Sequence, residues 1–394
     1  MLSPNISKNL TRVCMSLFLI LTFINGAFAY TSTPSSKIDY NSHELGETLN
    51  FEANPAVFLK NLTNKYKYEQ PQSTRTLLFS DFPEYIDKPG ISYQDTIYPW
   101  KNQGKFRVFD YHVNSSTKPL YFSVLLTNKN NHPVTVQIEK IAVAGPSMNY
   151  MAAGKNAVQA WLNSTEDTTI EIAPGKTVFL AEPVLLKKDQ LVNFIYDATV
   201  SDAVLVSTVT RSDENASLKG LPILGKTNNG EKKPTILRGT FNTADYYHYY
   251  LVGLDERGYN AVGVAGKAEY LQGYSAVDRK KVINYGNYGV MYHTVFKLIP
   301  YLQTPEAIVI NSRGGGYGTA ASIKINGELV TPGFIAPTET TAIGINTVKQ
   351  GVLVYKEYIQ NSDEVAINWM PAGGSNLPVN FIVQPYKSLQ IEEK

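Results

Sequence analysis

The five histidines are the side chains best suited to bind a metal ion or to transfer a proton, but their spacing fits no catalytic motif. The sequence contains neither the H-E-x-x-H pattern of zinc metalloproteases nor the G-x-S-x-G pattern of serine hydrolases. Its 34 acidic residues could supply two carboxylates for glycoside hydrolysis, yet none lies in a recognisable context. We therefore predict no metal site and no cofactor, and we name no catalytic residue. The histidines are His43, His112, His132, His248 and His293.

A glycine-rich segment, Arg313-Gly314-Gly315-Gly316-Tyr317-Gly318, could place its backbone against a ligand. It lacks the G-x-x-x-x-G-K-[ST] form of a phosphate-binding loop and does not lead from a strand into a helix. A wide hairpin turn, in which the glycines adopt positive φ, is the simpler interpretation. The alternative is a binding loop in which Arg313 donates charge-assisted hydrogen bonds to a carboxylate or a phosphate.

Tyrosine is unusually frequent, with 26 residues, and Tyr246–Tyr250 is the densest run. Successive side chains of a β-strand point to opposite faces. The first, third and fifth residues of the run would therefore share one face, and Tyr247 and Tyr249 would share the other. Aromatic rings are favourable in strands and pack well, which explains the run without a ligand. Exposed rings can also stack on the apolar faces of sugars, so a carbohydrate-binding surface is the alternative.

Residues 1–29 have the pattern of a secretory signal peptide. A basic start is followed by an apolar run from residue 13 to 24 and by an A-x-A cleavage site, which places the cut between Ala29 and Tyr30. A membrane-spanning helix would need about 20 apolar residues, and this run is shorter. We predict that the protein is secreted and that it is extracellular or associated with the cell envelope.

Removal of this segment would change the charge and the redox chemistry of the chain. It takes away Lys8, Arg12 and the one cysteine, Cys14. The 36 basic residues fall to 34, which equals the 34 acidic residues, so the mature chain has no net charge. Nucleic acids and polybasic membrane contacts require clustered positive charge, so we predict neither, and no integral membrane span. Without thiols, the chain must be stabilised by a sizeable core instead of disulfides.

Hydrophobic alternation predicts a mainly β protein with two β-sandwich domains. The clearest strand is Val134–Glu139, in which every second residue is apolar. Closely spaced strands and turn residues favour an immunoglobulin-like sandwich over residues 51–212 and a jelly-roll-like, Tyr- and Gly-rich sandwich over residues 235–394. Residues 30–50 are predicted to form a flexible leader, and residues 213–234 a polar linker.

Two local patterns inside the first sandwich lead to sharper predictions. Residues from about Met151 to Leu162 are predicted to form a helix that packs through its alanines and Trp161. Ile170–Ile172 and Thr177–Leu180 flank the sequence Ala-Pro-Gly-Lys. Because Pro-Gly favours the dihedral angles of a tight turn, we predict that these two strands form a hairpin.

Three glycine-rich motifs resemble segments of secreted Gram-positive envelope proteins. They are Asn284–Tyr292, Asn311–Tyr317 and Met370–Pro378. In such proteins a similar region often accompanies a copper-amine-oxidase-N-like wall domain or S-layer homology domains. The resemblance covers residues 235–386 and implies an envelope setting, but it implies no reaction and no catalytic residues.

We therefore predict a secreted, non-enzymatic protein that binds or scaffolds cell-wall or extracellular polysaccharide. Loops of the second domain would contact the polymer through Tyr285, Tyr288, Arg313, Tyr317 and Trp369. Two alternatives remain open: an extracellular hydrolase that acts on glycan or peptide, and a structural subunit of a surface layer or biofilm matrix. A cleft with paired carboxylates or clustered histidines would favour the hydrolase. A shallow aromatic surface would favour binding, and assembly through strand edges would favour the matrix subunit.

Overall fold

The computed structural model describes thirteen stretches of the chain between His43 and Ile391. They are residues 43–51, 67–72, 74–225, 237–252, 260–264, 270–298, 305–311, 323–325, 328–330, 350–358, 363–374, 379–386 and 391. The predicted signal peptide and its cleavage site lie outside these residues. No helix in the described stretches is long and apolar enough to cross a membrane.

Strands make up most of the described residues. In the first half they are β1 Thr48–Asn50, β2 Lys67–Gln72, β3 Thr76–Ser80, β4 Tyr85–Ile86, β5 Gly90–Ile97, β6 Lys105–Asn114, β7 Leu120–Thr127, β8 Val134–Ser147, β9 Thr168–Ile172, β10 Thr177–Leu186, β11 Leu191–Val200 and β12 Val204–Arg211. In the second half they are β13 Arg238–Phe241, β14 Asp245–Val252, β15 Asn260–Val264, β16 Leu271–Ser275, β17 Lys280–Asn284, β18 Met291–Leu298, β19 Glu306–Asn311, β20 Ile323–Ile325, β21 Glu328–Val330, β22 Gln350–Glu357, β23 Asp363–Trp369 and β24 Val379–Pro385. The α-helix α1 spans Tyr150–Asn163, and a 3-10 turn spans Asn102–Gly104.

These strands pair into mostly antiparallel sheets. A nine-stranded sheet has the order β17-β16-β13-β3-β6-β11-β8-β9, with β4 beside β6. The other large sheets are β10-β7-β12-β5, β2-β14-β18-β23 and β1-β22-β19-β24-β15. The strands β3 and β6, and likewise β14 and β18, run parallel. The prediction of a mainly β fold built from β-sandwiches is confirmed.

The nine-stranded sheet is covered on both faces, because its strands send alternate side chains to opposite sides. Phe106 of β6 and Phe194 of β11 point into a core shared with the β10-β7-β12-β5 sheet. Phe109 of β6 and Ile195 of β11 point the other way, into a second core. That second core also contains residues of α1, β14, β18 and β23. Each fully buried aromatic side chain contributes about 1.5–3 kcal/mol through burial.

The helix forms where it was predicted, within one residue at each end. The Oδ1 of Asn149 caps its first turn by accepting a hydrogen bond from the backbone N–H of Ala152 at 3.1 Å. At the other end Lys140 Nζ donates to three carbonyl oxygens, where the helix dipole favours a cation. The helix buries a stripe of small and aromatic side chains against the nine-stranded sheet, including Ala157 and Trp161.

The predicted hairpin around Pro174-Gly175 is wrong. A turn does form there, but β9 pairs with β8 and β10 pairs with β7, so the chain passes from one sheet to the other. Ile172 before the turn and Leu180 after it both enter the core between those two sheets. Burial of both apolar faces in one core therefore decides the pairing, which the turn sequence cannot do.

The two halves of the chain share a sheet. Strand β13, which follows the predicted linker, pairs with β3 through Arg238 to Phe241. Within the linker itself Leu224 is buried in the first core, and Ile223 bridges to Ile91. Residues 48–50 of the predicted leader form β1, which pairs with β22. That residues 213–234 divide the chain into two domains stays a prediction. The residues before and after this segment are joined by the nine-stranded sheet, to which both contribute strands.

Candidate functional site

One face of the β2-β14-β18-β23 sheet presents aromatic and polar side chains to solvent. Tyr247 of β14 stacks on His293 of the adjacent β18, with ring centroids 4.5 Å apart and planes at 18°. Two residues further along β14, Tyr249 is 39% exposed. Its hydroxyl group donates to Glu364 Oε1 of β23 at 3.3 Å. This face therefore carries two accessible tyrosine rings, both flanked by hydrogen-bonding groups.

The alternation predicted for the tyrosine run is confirmed. Tyr246, His248 and Tyr250 are buried, whereas Tyr247 and Tyr249 lie on the outer face. The buried rings join an aromatic cluster that holds the strand in place. Tyr246 stacks on Tyr292 at 5.5 Å, and the Tyr292 ring stacks in turn on Trp369 at 5.0 Å. The two outer rings are therefore presented by a rigid strand.

His293 is held between two neighbours at one end of this face. Its Nδ1 lies 2.9 Å from Asn368 Oδ1, and its Nε2 lies 3.3 Å from Asp245 Oδ1. The other carboxylate oxygen of Asp245 accepts a hydrogen bond from the Thr74 hydroxyl. These contacts fix the plane of the His293 ring and hence the orientation of Tyr247 stacked on it.

Beside His293 the surface opens into a cleft of about 360 Å³. Four basic and two acidic side chains line it: Arg75, Lys105, Arg107, Lys140, Asp197 and Asp245. Tyr247, His293 and Asn368 also line it, so the cleft is continuous with the aromatic sheet face. Together they form a single surface, which we call the Tyr247 face.

Arg107 is the centre of the charge network in the cleft. Its Nε and Nη2 donate to the two carboxylate oxygens of Asp197 at 2.7 and 2.9 Å. Its Nη1 donates to the carbonyl oxygens of Ala244 and Gly289, and its guanidinium lies 4.3 Å from the ring centre of Trp161. Burial acts to lower the pKa of Arg107, but the neighbouring carboxylates raise it above its ordinary value. The guanidinium donors are therefore used in hydrogen bonds to other groups of the protein.

Asp245 is held in its ionised form. Burial acts to raise its pKa, but hydrogen bonds from His293 and Thr74 and the charge of Arg107 outweigh burial and lower the pKa to about 2. A general acid of a glycoside hydrolase needs a carboxyl group that stays protonated near neutral pH. The other lining carboxylate, Asp197, is occupied by Arg107 and by Arg75 Nε at 3.2 Å. The carboxylates of this cleft are thus arranged as ion-pair partners.

A serine of β3 meets a histidine and an aspartate of β6 in the nine-stranded sheet, but the three do not form a catalytic triad. Ser80 Oγ lies 2.9 Å and Asp110 Oδ1 2.7 Å from the same atom, His112 Nε2. A triad requires the acid and the nucleophile on opposite nitrogens of the ring, whereas His112 Nδ1 contacts the Pro83 carbonyl at 2.8 Å. All three side chains are also buried. In the described stretches, no group of three or more His, Cys, Asp or Glu could hold a metal ion.

The residues predicted to bind polymer occupy different surroundings. Tyr285 and Tyr288 lie in the turn after β17, where Tyr285 packs edge-on against Tyr270 at 5.5 Å. Tyr288 packs against the second core, and burial raises its pKa. Trp369 is fully buried, so a ligand has no access to its ring in this structure. Arg313 and Tyr317 lie outside the described residues. The predicted binding role of this set stays untested.

The glycines of two motifs that resemble envelope proteins serve close packing. Gly289 has φ of +77°, and a side chain there would lie 2.9 Å from Phe109 Cβ. Gly373 lies against the Tyr111 ring, with an added Cβ only 2.3 Å from Cδ2 of that ring. Helix α1 meets the same loop through Gly154, whose added Cβ would lie 1.9 Å from the Gly373 carbonyl oxygen. These motifs therefore fasten the second half to the nine-stranded sheet and the helix.

Sequence reasoning identified the strand of the Tyr247 face but not its partners. His293, Asn368 and Glu364 come from strands that lie far along the chain, and they reach the tyrosines only through strand register. Tyr247 is directly opposite His293 in the parallel β14–β18 pair, and His293 is opposite Asn368 in the antiparallel β18–β23 pair. The sequence contains one indication of the position of His293. It lies between Tyr292 and Thr294 in a strand, and both of these neighbours are buried on the opposite face.

Comparisons with known proteins place the chain in no family. Neither a protein-family model nor a curated protein matches the sequence. Among solved structures, Lac15 from a marine microbial metagenome is 9% identical with a TM-score of 0.16, and the match covers 80% of this chain and 63% of Lac15. The PBSX exported protein XepA is 10% identical with a TM-score of 0.13, covering 88% of this chain and 87% of XepA. The 11S allergen from Cocos nucifera is 11% identical with a TM-score of 0.13, covering 87% and 90%. Scores this low carry no argument about function.

Proposed function

We propose that this protein is an exported, non-enzymatic protein that binds cell-wall or extracellular polysaccharide through the Tyr247 face. The observation that carries the proposal is the stacked Tyr247–His293 pair beside the exposed Tyr249 on a rigid strand. The proposal moves the contact away from the loops expected from the sequence and onto an open sheet surface. The signal-peptide pattern of residues 1–29 agrees with an extracellular ligand.

The chemistry of the face suits a sugar chain. A pyranose ring has an apolar face, which can cover an aromatic ring, and an equatorial belt of hydroxyl groups. Tyr247 and Tyr249 provide rings for the first kind of contact. Asn368 and Glu364 provide polar groups for the second, and both lie on β23, which is separated from β14 by β18. Because the face runs along strands, it can follow an extended polymer.

The alternative of a hydrolase finds less support in the same surface. Its cleft holds two carboxylates, as a glycosidase would require, but both accept hydrogen bonds from protein donors. The low pKa of Asp245 keeps that group deprotonated over the physiological range, so it cannot deliver a proton to a leaving group. We therefore favour binding at this surface over bond cleavage.

Retention on purified polymers tests the proposal. The mature protein would be incubated with purified Gram-positive cell wall and with exopolysaccharide, and the bound fraction would be measured by sedimentation. We expect a Tyr247→Ala/Tyr249→Ala variant to bind at least about fivefold more weakly, since each lost ring contact contributes about 0.5–1.5 kcal/mol beyond burial. A Tyr247→Phe/Tyr249→Phe variant should retain most of the binding, because it keeps both rings.

Tyr274→Ala provides the matched control. Tyr274 is 49% exposed and belongs to β16 of the nine-stranded sheet, so its removal deletes an exposed ring elsewhere. If the Tyr247→Ala/Tyr249→Ala variant were retained as well as the wild type, or if no polymer retained the wild type, the proposal would be wrong.

A further inference from the structure

Trp100 exposes 76% of its surface, although a tryptophan ring is costly to leave in water. The other two tryptophans, Trp161 and Trp369, are buried, with 2% and 0% exposed. Trp100 stacks on Tyr98, with ring centroids 5.2 Å apart and planes at 24°. Tyr98 is itself 40% exposed. The pair therefore presents a flat aromatic surface outside the Tyr247 face.

The loop that carries this pair is held by specific contacts. Between β5 and β6, Asn102 Nδ2 donates to Thr76 Oγ1 at 2.9 Å and to the Asn242 carbonyl at 2.8 Å. The Lys101 N–H donates to the Tyr98 carbonyl at 3.1 Å, which closes the turn beneath the two rings. Asn102 also has a positive φ of 51°, which an asparagine tolerates better than most residues. The loop backbone that carries the two rings is thus held in place.

Polar loops lie at the same end of the sandwich as Tyr98 and Trp100. Ile97 at the end of β5 pairs with Val204 at the start of β12, so residues 201–203 lie at the same end of the sandwich. There Asp202 pairs with His132 at 2.8 Å, and both side chains are largely exposed. Insertion into a membrane interface needs a larger apolar face and is helped by a basic surround. Two stacked aromatic rings at a polar end of the sandwich are instead suited to bind a ligand that has one small apolar face.

We infer that Tyr98 and Trp100 form a second glycan contact, in which Trp100 stacks on the apolar face of a sugar residue. The inference rests on the proposed function for the class of ligand, an extracellular polysaccharide, but uses a separate set of residues. The indole N–H and the Tyr98 hydroxyl add polar edges to the stacked rings, as hydroxyl-bearing sugars require. A polymer with many sugar units can then engage the protein at two independent places.

Tryptophan fluorescence tests this contact directly, because Trp100 is the one tryptophan of the three that solvent reaches. Acrylamide quenching of the mature protein would be measured with and without soluble exopolysaccharide or solubilised wall polysaccharide. We expect saturating polymer to reduce quenching, and Trp100→Phe to remove both the quenchable emission and the protection. Unchanged quenching in the presence of bound polymer would overturn the inference.

Retention assays separate this inference from the proposed function. We expect Trp100→Ala to weaken retention about fivefold to tenfold and Trp100→Phe to restore most of it, while Tyr274→Ala has no effect. If Tyr247→Ala/Tyr249→Ala weakens binding but Trp100→Ala does not, the proposed function stands and the Trp100 contact is refuted. If no polymer is retained by the wild type, both fail. Protection of Trp100 by phosphatidylglycerol vesicles instead of polysaccharide would also refute a glycan contact.

Discussion

Arg107 donates two hydrogen bonds to Asp197, from Nε at 2.7 Å and from Nη2 at 2.9 Å, and both side chains are almost completely buried. The pair joins the central strands β6 and β11. The remaining Arg107 bonds go to the carbonyl oxygens of Ala244 and Gly289 in the second half of the chain. One guanidinium therefore connects the nine-stranded sheet with the strands that carry the Tyr247 face.

Replacement of Arg107 by methionine should strongly destabilise the protein. The change leaves the Asp197 carboxylate buried without its main partner and removes the donor from two carbonyl groups. We expect the free energy of unfolding, measured by urea denaturation, to fall by about 3–5 kcal/mol. Arg107→Met/Asp197→Leu should recover part of this loss, since the buried Asp197 carboxylate is then removed together with its main partner.

An exposed ion pair supplies the comparison for Arg107. Lys297 and Glu364 lie 3.5 Å apart with 27% and 54% of their side chains exposed. Because water screens this pair, Lys297→Met should change the unfolding free energy by less than about 1 kcal/mol. Equal effects of Arg107→Met and Lys297→Met would contradict the central role assigned to Arg107.

Asp245 should make stability depend on acidic pH. Its folded-state pKa of about 2 lies below the ordinary value of 3.8, so folding favours the ionised form. The resulting stabilisation, about 2 kcal/mol, is present above pH 4 and is lost as the pH falls from about 4 towards 2. Unfolding measured at pH 2.5 to 6 should therefore give a shallower pH dependence for Asp245→Asn than for the wild type. Curves with the same slope would show that Asp245 does not contribute.

Glu306 should have the opposite effect. It is buried at the start of β19, and burial raises its pKa from 4.5 to about 7. Folding then favours the protonated form, so ionisation of this group costs stability progressively as the pH rises from about 4.5 to 7. We expect Glu306→Gln to change the unfolding free energy by an amount that is about 3 kcal/mol more favourable to the folded state at pH 8 than at pH 4.

An exposed glutamate tests whether the effect of Glu306 comes from burial. Glu171 lies on β9 with its side chain exposed. Glu171→Gln removes the same charge from a solvated position, so it relieves no cost of burying a charge. If Glu306→Gln and Glu171→Gln had the same pH profile, the cost assigned to buried Glu306 would be refuted.

Gly154 should not tolerate alanine, although alanine usually stabilises a helix by about 1 kcal/mol relative to glycine. An added Cβ would lie 1.9 Å from the backbone oxygen of Gly373, and neither backbone can yield without separating α1 from its loop. We expect Gly154→Ala to lower the thermal midpoint, with a loss of about 1–3 kcal/mol. Gly225→Ala is the control, because nothing lies within 4 Å of its added Cβ, and its midpoint should be unchanged.

Local patterns were sufficient for several features of the fold. The sequence predicted the helix that spans Tyr150–Asn163 and the alternating start of β8 at Val134. It also predicted that the first, third and fifth residues of the Tyr246–Tyr250 run share one face of the strand and that Tyr247 and Tyr249 share the other, and the structure shows which of the two faces is buried. Each of these features depends on the spacing of apolar residues within a short segment of the chain. A short segment is therefore sufficient to predict them.

Pairing between distant strands could be decided only by the tertiary structure. The Pro174-Gly175 turn forms in either arrangement, and the shared burial of Ile172 and Leu180 sends its two strands to different sheets. Arg107 contacts Asp197, which lies ninety positions away in the sequence, and His293 contacts Asn368, which lies seventy-five positions away. These contacts exist because both faces of the central sheet must be covered, which is a property of the whole chain.

Exposure also belongs to the tertiary structure. Trp100 and Trp369 are the same residue type, but one exposes 76% of its surface and the other none. The sequence by itself determined a β-rich chain with an export pattern and an excess of aromatic residues. The packing of the sheets decided which of those rings stabilise the core and which remain available to a ligand, because burial depends on what each strand faces.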